Sequence, residues 1–110
     1  MESFVVAVVT VPNEEVGERI ARALVEERLA ACVNLVPRVR SIYRWRGEVC
    51  DEGELLLWVK TRGARFPELQ ERVRALHPYE LPEIIALPIS QGFPPYLSWV
   101  AQESADPSGY

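Results

Sequence analysis

Between Phe4 and Val11 the chain reads Phe-Val-Val-Ala-Val-Val-Thr-Val, apolar at odd and even positions alike and mostly β-branched. Such a run predicts a central strand covered on both faces, by helices on one side and by helices or a partner on the other. Pro12 ends it. Asn13 is placed to cap a helix, with Glu14 and Glu15 favourable in its first turn. That helix is expected over 14–29, with Val16, Ile20, Ala23 and Leu24 as its apolar stripe. Glu15–Arg19 and Glu18–Arg22 are spaced i,i+4 on its wet side, with Glu in the better N-terminal place.

From Cys32 to Trp45 the pattern changes to period two. Odd positions read Val33, Leu35, Pro37, Val39, Ser41, Tyr43 and Trp45, an apolar face; the even positions carry Arg38, Arg40 and Arg44. Pro37 cannot donate to a ladder, so a bend, a bulge or an unpaired edge is expected there. Arg46-Gly47 is the turn. A third strand is expected over 48–60, ending in the apolar run Leu55 to Val59. A second helix follows over 64–76, with Phe66, Leu69, Val73 and Leu76 inward, Pro67 in its first turn and Glu68–Arg72 as an i,i+4 pair. The connector 77–82 holds two prolines. A fourth strand is expected over 83–89, and a short C-terminal helix carries Tyr96, Leu97, Trp99 and Val100. The order βαββαβ plus a short helix predicts an α+β, ferredoxin-like sandwich with both larger helices on one face of the sheet. One domain is expected over residues 1–104, with a flexible tail over 105–110.

The hairpin is long for such a domain. A globule of 110 residues is roughly 35 Å across, whereas strands of about 14 residues reach roughly 46 Å. The far end carries Ile42, Tyr43, Trp45 and Val49. Left bare, these side chains would form an apolar arm with open edges. Burial by other copies of the chain resolves both problems, so these four residues are expected in an interface between copies.

Composition narrows the partners. The formal net charge is −4, which disfavours a general nucleic-acid binder. No apolar run is long enough to span a membrane as a helix. Met1-Glu2-Ser3 leads directly into a strand without a basic segment, so no signal peptide is expected and the protein is read as cytoplasmic. Cys32 and Cys50 are then reduced thiols, and their positions in the hairpin do not face each other.

Five segments, in order, make this chain resemble the CutA divalent-cation-tolerance family. They are Ala31-Cys32-Val33-Asn34; Ser41-Ile42-Tyr43-Arg44-Trp45-Arg46-Gly47; Glu54 with Leu55 to Thr61; His77-Pro78-Tyr79-Glu80-Leu81-Pro82; and Tyr96-Leu97-Ser98-Trp99. The resemblance implies a homotrimer of ferredoxin-like subunits whose hairpins wrap their neighbours, with no enzymatic reaction. It implies a role in tolerance of copper and other divalent metals. The trimer also resembles the nitrogen-regulatory signalling proteins, which bind small ligands in clefts between subunits.

Candidate chemistry is sparse. His77, the single histidine, and Cys32 are the candidate metal ligands, of a type suited to copper. Bacterial relatives that bind copper carry a cysteine and a second histidine where this chain has Val9 and Leu76. Asp51, Glu52 and Glu54 offer carboxylates to a hard cation or to nearby arginines. Glu54, Lys60, Tyr79 and Glu80 are candidates for an intersubunit cleft serving a small ligand, the alternative reading. Acylphosphatase chemistry is disfavoured because Thr10-Val11-Pro12-Asn13 lacks the glycine and arginine of a phosphate-cradling loop. An RNA-recognition sheet is disfavoured because the first and third strands are mainly aliphatic.

Overall fold

The computed structural model describes residues 2–106. Strand β1 spans Phe4–Val11, helix α1 Glu14–Glu26, β2 Cys32–Trp45 and β3 Glu48–Arg62. A 3-10 turn (Gly63–Arg65) leads into α2 (Phe66–Leu76), followed by β4 (Ile84–Pro88) and α3 (Pro94–Glu103). The sheet order is β2-β3-β1-β4, with every neighbouring pair antiparallel. This is the ferredoxin-like arrangement that the element order predicts.

Alternation along the central strands sorts the two faces. Ala7, Val9 and Val11 of β1 and Leu57 and Val59 of β3 pack with Val16, Ile20 and Leu24 of α1 and Leu69 and Val73 of α2. All but Val16 of these are fully enclosed. Both larger helices therefore cover one face. The opposite face carries Val6, Val8 and Thr10 from β1, paired with Lys60, Trp58 and Leu56 of β3. α3 covers part of it: Lys60 Nζ lies 5.8 Å from the Tyr96 ring centroid, and Ser104 Oγ accepts from the Arg62 backbone N–H. Elsewhere this face is open, with Val36, Ile85 and Leu87 each more than two-fifths exposed.

Asn13 caps α1 as expected, its Oδ1 accepting from the Val16 N–H at 2.9 Å. The helix stops at Glu26, three residues short of the pattern's limit. Arg28 adopts φ 59°. The Leu29 N–H donates to the Leu24 carbonyl and the Arg28 N–H to the Val25 carbonyl, the bond pair of a Schellman ending. Leu29 is buried after that reversal, so its apolarity marks the turn's packing and not another helical residue. Glu18–Arg22 forms, but Arg19 donates to the Leu76 carbonyl and Arg72 pairs with Glu27. β3 runs two residues further than expected, and β4 is trimmed by one at each end.

The bulge expected at Pro37 is present. β2 spends three steps from Val36 to Val39 while β3 spends two from Leu56 to Glu54, with Arg38 at φ 61°. The extra residue overturns one expectation. Val33 and Leu35 pack toward the helices, but after the bulge Val39, Ser41, Tyr43 and Trp45 lie opposite Glu54, Glu52, Cys50 and Glu48 on the other face. The odd positions of β2 thus form two apolar half-faces, not one. Of the expected tail, residues 107–110 lie outside the described residues. Asp106 is not loose: its carboxylate stands 3.6 Å from the buried Arg65 guanidinium.

Candidate functional site

The hairpin leaves the body at the bulge. Arg46 and Gly47, at φ 50° and 82°, close it in a two-residue turn of the type that needs positive φ at both central positions. The radius of gyration is 14.5 Å and the extents are 45 × 27 × 22 Å, against roughly 13 Å for a compact chain of this length. The four arm residues expected at an interface are open in the single chain: Ile42 64%, Val49 65%, Tyr43 39% and Trp45 37% exposed. They point two ways, Tyr43 and Trp45 to one face of the ribbon and Ile42 and Val49 to the other.

Between this arm and the connector after α2 lies a cleft of about 760 Å³. Ser41 to Arg46 form one wall, Pro78 to Leu81 with Glu83 the other, and Thr10 and Glu54 the floor. Glu54 is only 7% exposed. Tyr79 Oη donates to Glu54 Oε2 at 2.7 Å. Tyr43 Oη donates to Glu52 Oε1 at 2.6 Å. At the mouth, Arg46 Nη2 donates to Glu80 Oε2 at 2.8 Å, and the same guanidinium lies 5.2 Å from the Trp45 ring centroid.

These contacts set the protonation of the site. Burial, then the bond to Glu54, pushes the Tyr79 phenol well above the ordinary range. The bond to Glu52 pushes Tyr43 up to about 12. Both phenols are therefore donors near neutrality, and their carboxylate partners are acceptors. On the hairpin, the Arg40 guanidinium holds Asp51 below the usual carboxylate range through bonds of 2.8 and 2.5 Å.

His77 opens the connector after α2 and is 7% exposed. The Tyr79 N–H donates to Nδ1 at 3.1 Å, so Nε2 carries the proton and donates to the Thr10 carbonyl at 2.7 Å. Both ring nitrogens are engaged by the backbone. Cys32 lies opposite Lys60, near the other end of β3, and its thiol faces Asn34 Oδ1 at 3.9 Å. The two candidate metal ligands are not brought together. Among the described residues no three His, Cys, Asp or Glu side chains are grouped to hold a metal ion. Asp51, Glu52 and Glu54 are each bonded to a different partner: Arg40, Tyr43 and Tyr79. Both cysteines are free thiols.

Three of the four cleft candidates, Glu54, Tyr79 and Glu80, meet in one place. Lys60 does not: it lies six residues along β3 from Glu54, roughly 20 Å away, beneath Tyr96. Thr10, Arg46 and Glu83 join the cleft without a signal in the sequence pattern. The Arg46–Glu80 contact spans 34 residues of chain, a separation for which periodicity gives no signal.

The class this geometry defines is a ferredoxin-like domain with an extended hairpin and a connector folded against it. Residues 5–103 match the family model of the CutA1 divalent ion tolerance protein, and the chain belongs to that family. It is 61% identical over 99 residues to the divalent-cation tolerance protein CutA of Thermus thermophilus, covering 90% of this chain and 96% of that protein. A solved Thermus thermophilus divalent cation tolerance protein (Cut A1) superposes with a TM-score of 0.90 at 59% identity, covering 96% of this chain and all of that one. The crystal structure of CutA1 from Oryza sativa gives 0.92 at 45% identity, covering 94% and 95% of the two chains.

Proposed function

We propose that the chain acts without catalysis, as a homotrimer, in the tolerance of divalent cations, copper among them. The family match over residues 5–103 carries the tolerance role. Self-assembly is supported by the bare arm and by the open sheet face with Val36, Ile85 and Leu87. Apolar surface of that extent on an unpaired ribbon invites another chain, and the threefold order is the one the family resemblance implies. A role without chemistry is supported by the state of the polar groups. The one imidazole is spent on two backbone groups, and both cleft phenols are held as donors.

Copper contact, on this reading, belongs to the assembled protein, since one chain does not gather His77 and Cys32. The test is growth in graded copper and zinc of a strain lacking its own family member, with and without this chain. Expected is a shifted tolerance threshold that returns with the chain; equal growth at every concentration contradicts the role. Calorimetry of the assembled protein with copper separates direct binding, seen as saturable heat, from an indirect role, seen as none. No described helix is long and apolar enough to cross a membrane. Two unpaired thiols favour the reducing cytoplasm as its compartment. Fractionation that finds the protein elsewhere would remove that assignment.

A further inference from the structure

The cleft between hairpin and connector has a donor–acceptor balance that selects its ligand. Its basic side chains leave no cation free within it: Arg46 is paired with Glu80 at 2.8 Å, and Arg44, paired with Val49 in the ladder, lies on the opposite face of the ribbon from Tyr43 and Trp45. Its phenols already donate their hydrogen bonds to Glu54 and Glu52, and their raised pKa values keep them in that role. What remains unspent is acceptor capacity. Glu54 uses one carboxylate oxygen on Tyr79 and keeps lone pairs on both. Glu83 has no ion-pair partner among the described residues. Aromatic faces stand beside these carboxylates, Trp45 and Tyr43 on one wall and Tyr79 on the other. An anion would meet acidic groups with no free cation to receive it. A bare divalent ion would find no grouped ligand set. An ammonium or guanidinium group meets both of its needs, carboxylate oxygens and ring faces. The cleft already displays that chemistry once, with the Arg46 guanidinium held between the Trp45 ring and Glu80.

We propose that this cleft binds an organic cation of the linear amine or guanidinium class, with the Glu54 carboxylate as its inner anchor and Glu83 as its outer one. At about 760 Å³ it lies in the range of ordinary small-ligand sites. The proposal is independent of the metal-tolerance role; it requires the cleft-side faces of the Tyr43 and Trp45 rings to stay open in the assembly while their outer edges meet the neighbouring copy.

Calorimetry of the assembled full chain with spermidine, at physiological ionic strength, is the test. Citrate serves as the anionic contrast and magnesium as the inorganic one. Expected is saturable spermidine binding, no saturable citrate heat, and at least tenfold weaker binding in Glu54→Gln, whose amide oxygen still accepts from Tyr79. Glu26→Gln on the exposed end of α1 makes the same charge change away from the cleft and is expected to bind as the parent does. Solution mass is measured for each variant, and Glu83→Gln repeats the test should Glu54→Gln fail to assemble. The proposal is overturned by any of four results: no saturable spermidine heat, as when an arginine of another copy fills the cleft; an equal loss in Glu26→Gln, as for non-specific attraction to an acidic protein; competition by magnesium at equal charge; or saturable binding of citrate in its place.

Discussion

The hydroxyl of Tyr79 donates to the carboxylate of Glu54 at 2.7 Å, joining the connector after α2 to the base of the hairpin. Glu54 is 7% exposed, so this bond offsets much of the cost of enclosing a carboxylate. Tyr79→Phe removes the only donor described for it. The expected loss is about 1–3 kcal/mol of unfolding free energy, the cost of a buried acceptor left unpaired. Urea unfolding at fixed protein concentration measures it. A variant as stable as the parent would mean that solvent already serves Glu54.

Alkaline pH should weaken the fold through the same phenols. Unfolded tyrosines lose their protons near pH 10, whereas folded Tyr43 holds its proton to about pH 12 and Tyr79 holds longer than usual. Above pH 10 the native state therefore binds more protons than the unfolded state, and stability falls as pH rises. The contribution is complete below pH 10 and is lost through the folded values. Ultraviolet titration should show two tyrosines ionising late, and unfolding midpoints should drop above pH 10 less steeply in Tyr43→Phe. Four phenols titrating together near pH 10 would contradict this.

On the hairpin, Asp51 should titrate below the ordinary carboxylate range, because Arg40 bonds both of its oxygens. Its folded value is depressed, so the pair's support is present above the unfolded carboxylate value and is lost as pH falls through the folded one. Carbon-detected NMR titration reads this directly. In Arg40→Gln the Asp51 midpoint should return to the usual range; an unmoved midpoint would assign the depression to another cause.

Arg28 occupies the left-handed position of the α1 ending at φ 59°. A side chain costs about 1 kcal/mol there, and glycine is free of that cost. The backbone carbonyl of Arg28, which accepts from the buried Arg65, survives the change. Only the exposed pair with Glu103 at 3.7 Å is lost, a contact of small value. Arg28→Gly should therefore raise stability by about 0.5–1 kcal/mol in urea unfolding. A net loss would mean that the side chain does more than this ending requires.

Much of this architecture is legible in the chain. Period-two alternation bounds β2 at Cys32 and Trp45, and Pro37 announces the bulge because proline cannot join the ladder. The consequence of the bulge is less legible. Its extra residue reverses which side chains share a face, and the uninterrupted odd-position pattern conceals the reversal. The end of α1 is obscured for a related reason: Leu29 is apolar because it packs against the turn, in a place where periodicity reads another helical step. At the site, Glu54, Tyr79 and Glu80 were readable as a group. Lys60 was not separable from them, because distance along an extended strand grows quickly and the strand's facing partners are set by register. Arg46 enters through its contact with Glu80, 34 residues away, which no local pattern encodes.

The most direct measurement of the central claim, that the arm is built for burial by copies of the chain, is the mass of the protein in solution. Light scattering or sedimentation at micromolar concentration should give three times the 12.5 kDa chain. Replacing Tyr43 and Trp45 by serine should shift the population toward smaller species. A stable 12.5 kDa monomer, with the arm's apolar side chains open to water, would contradict the account.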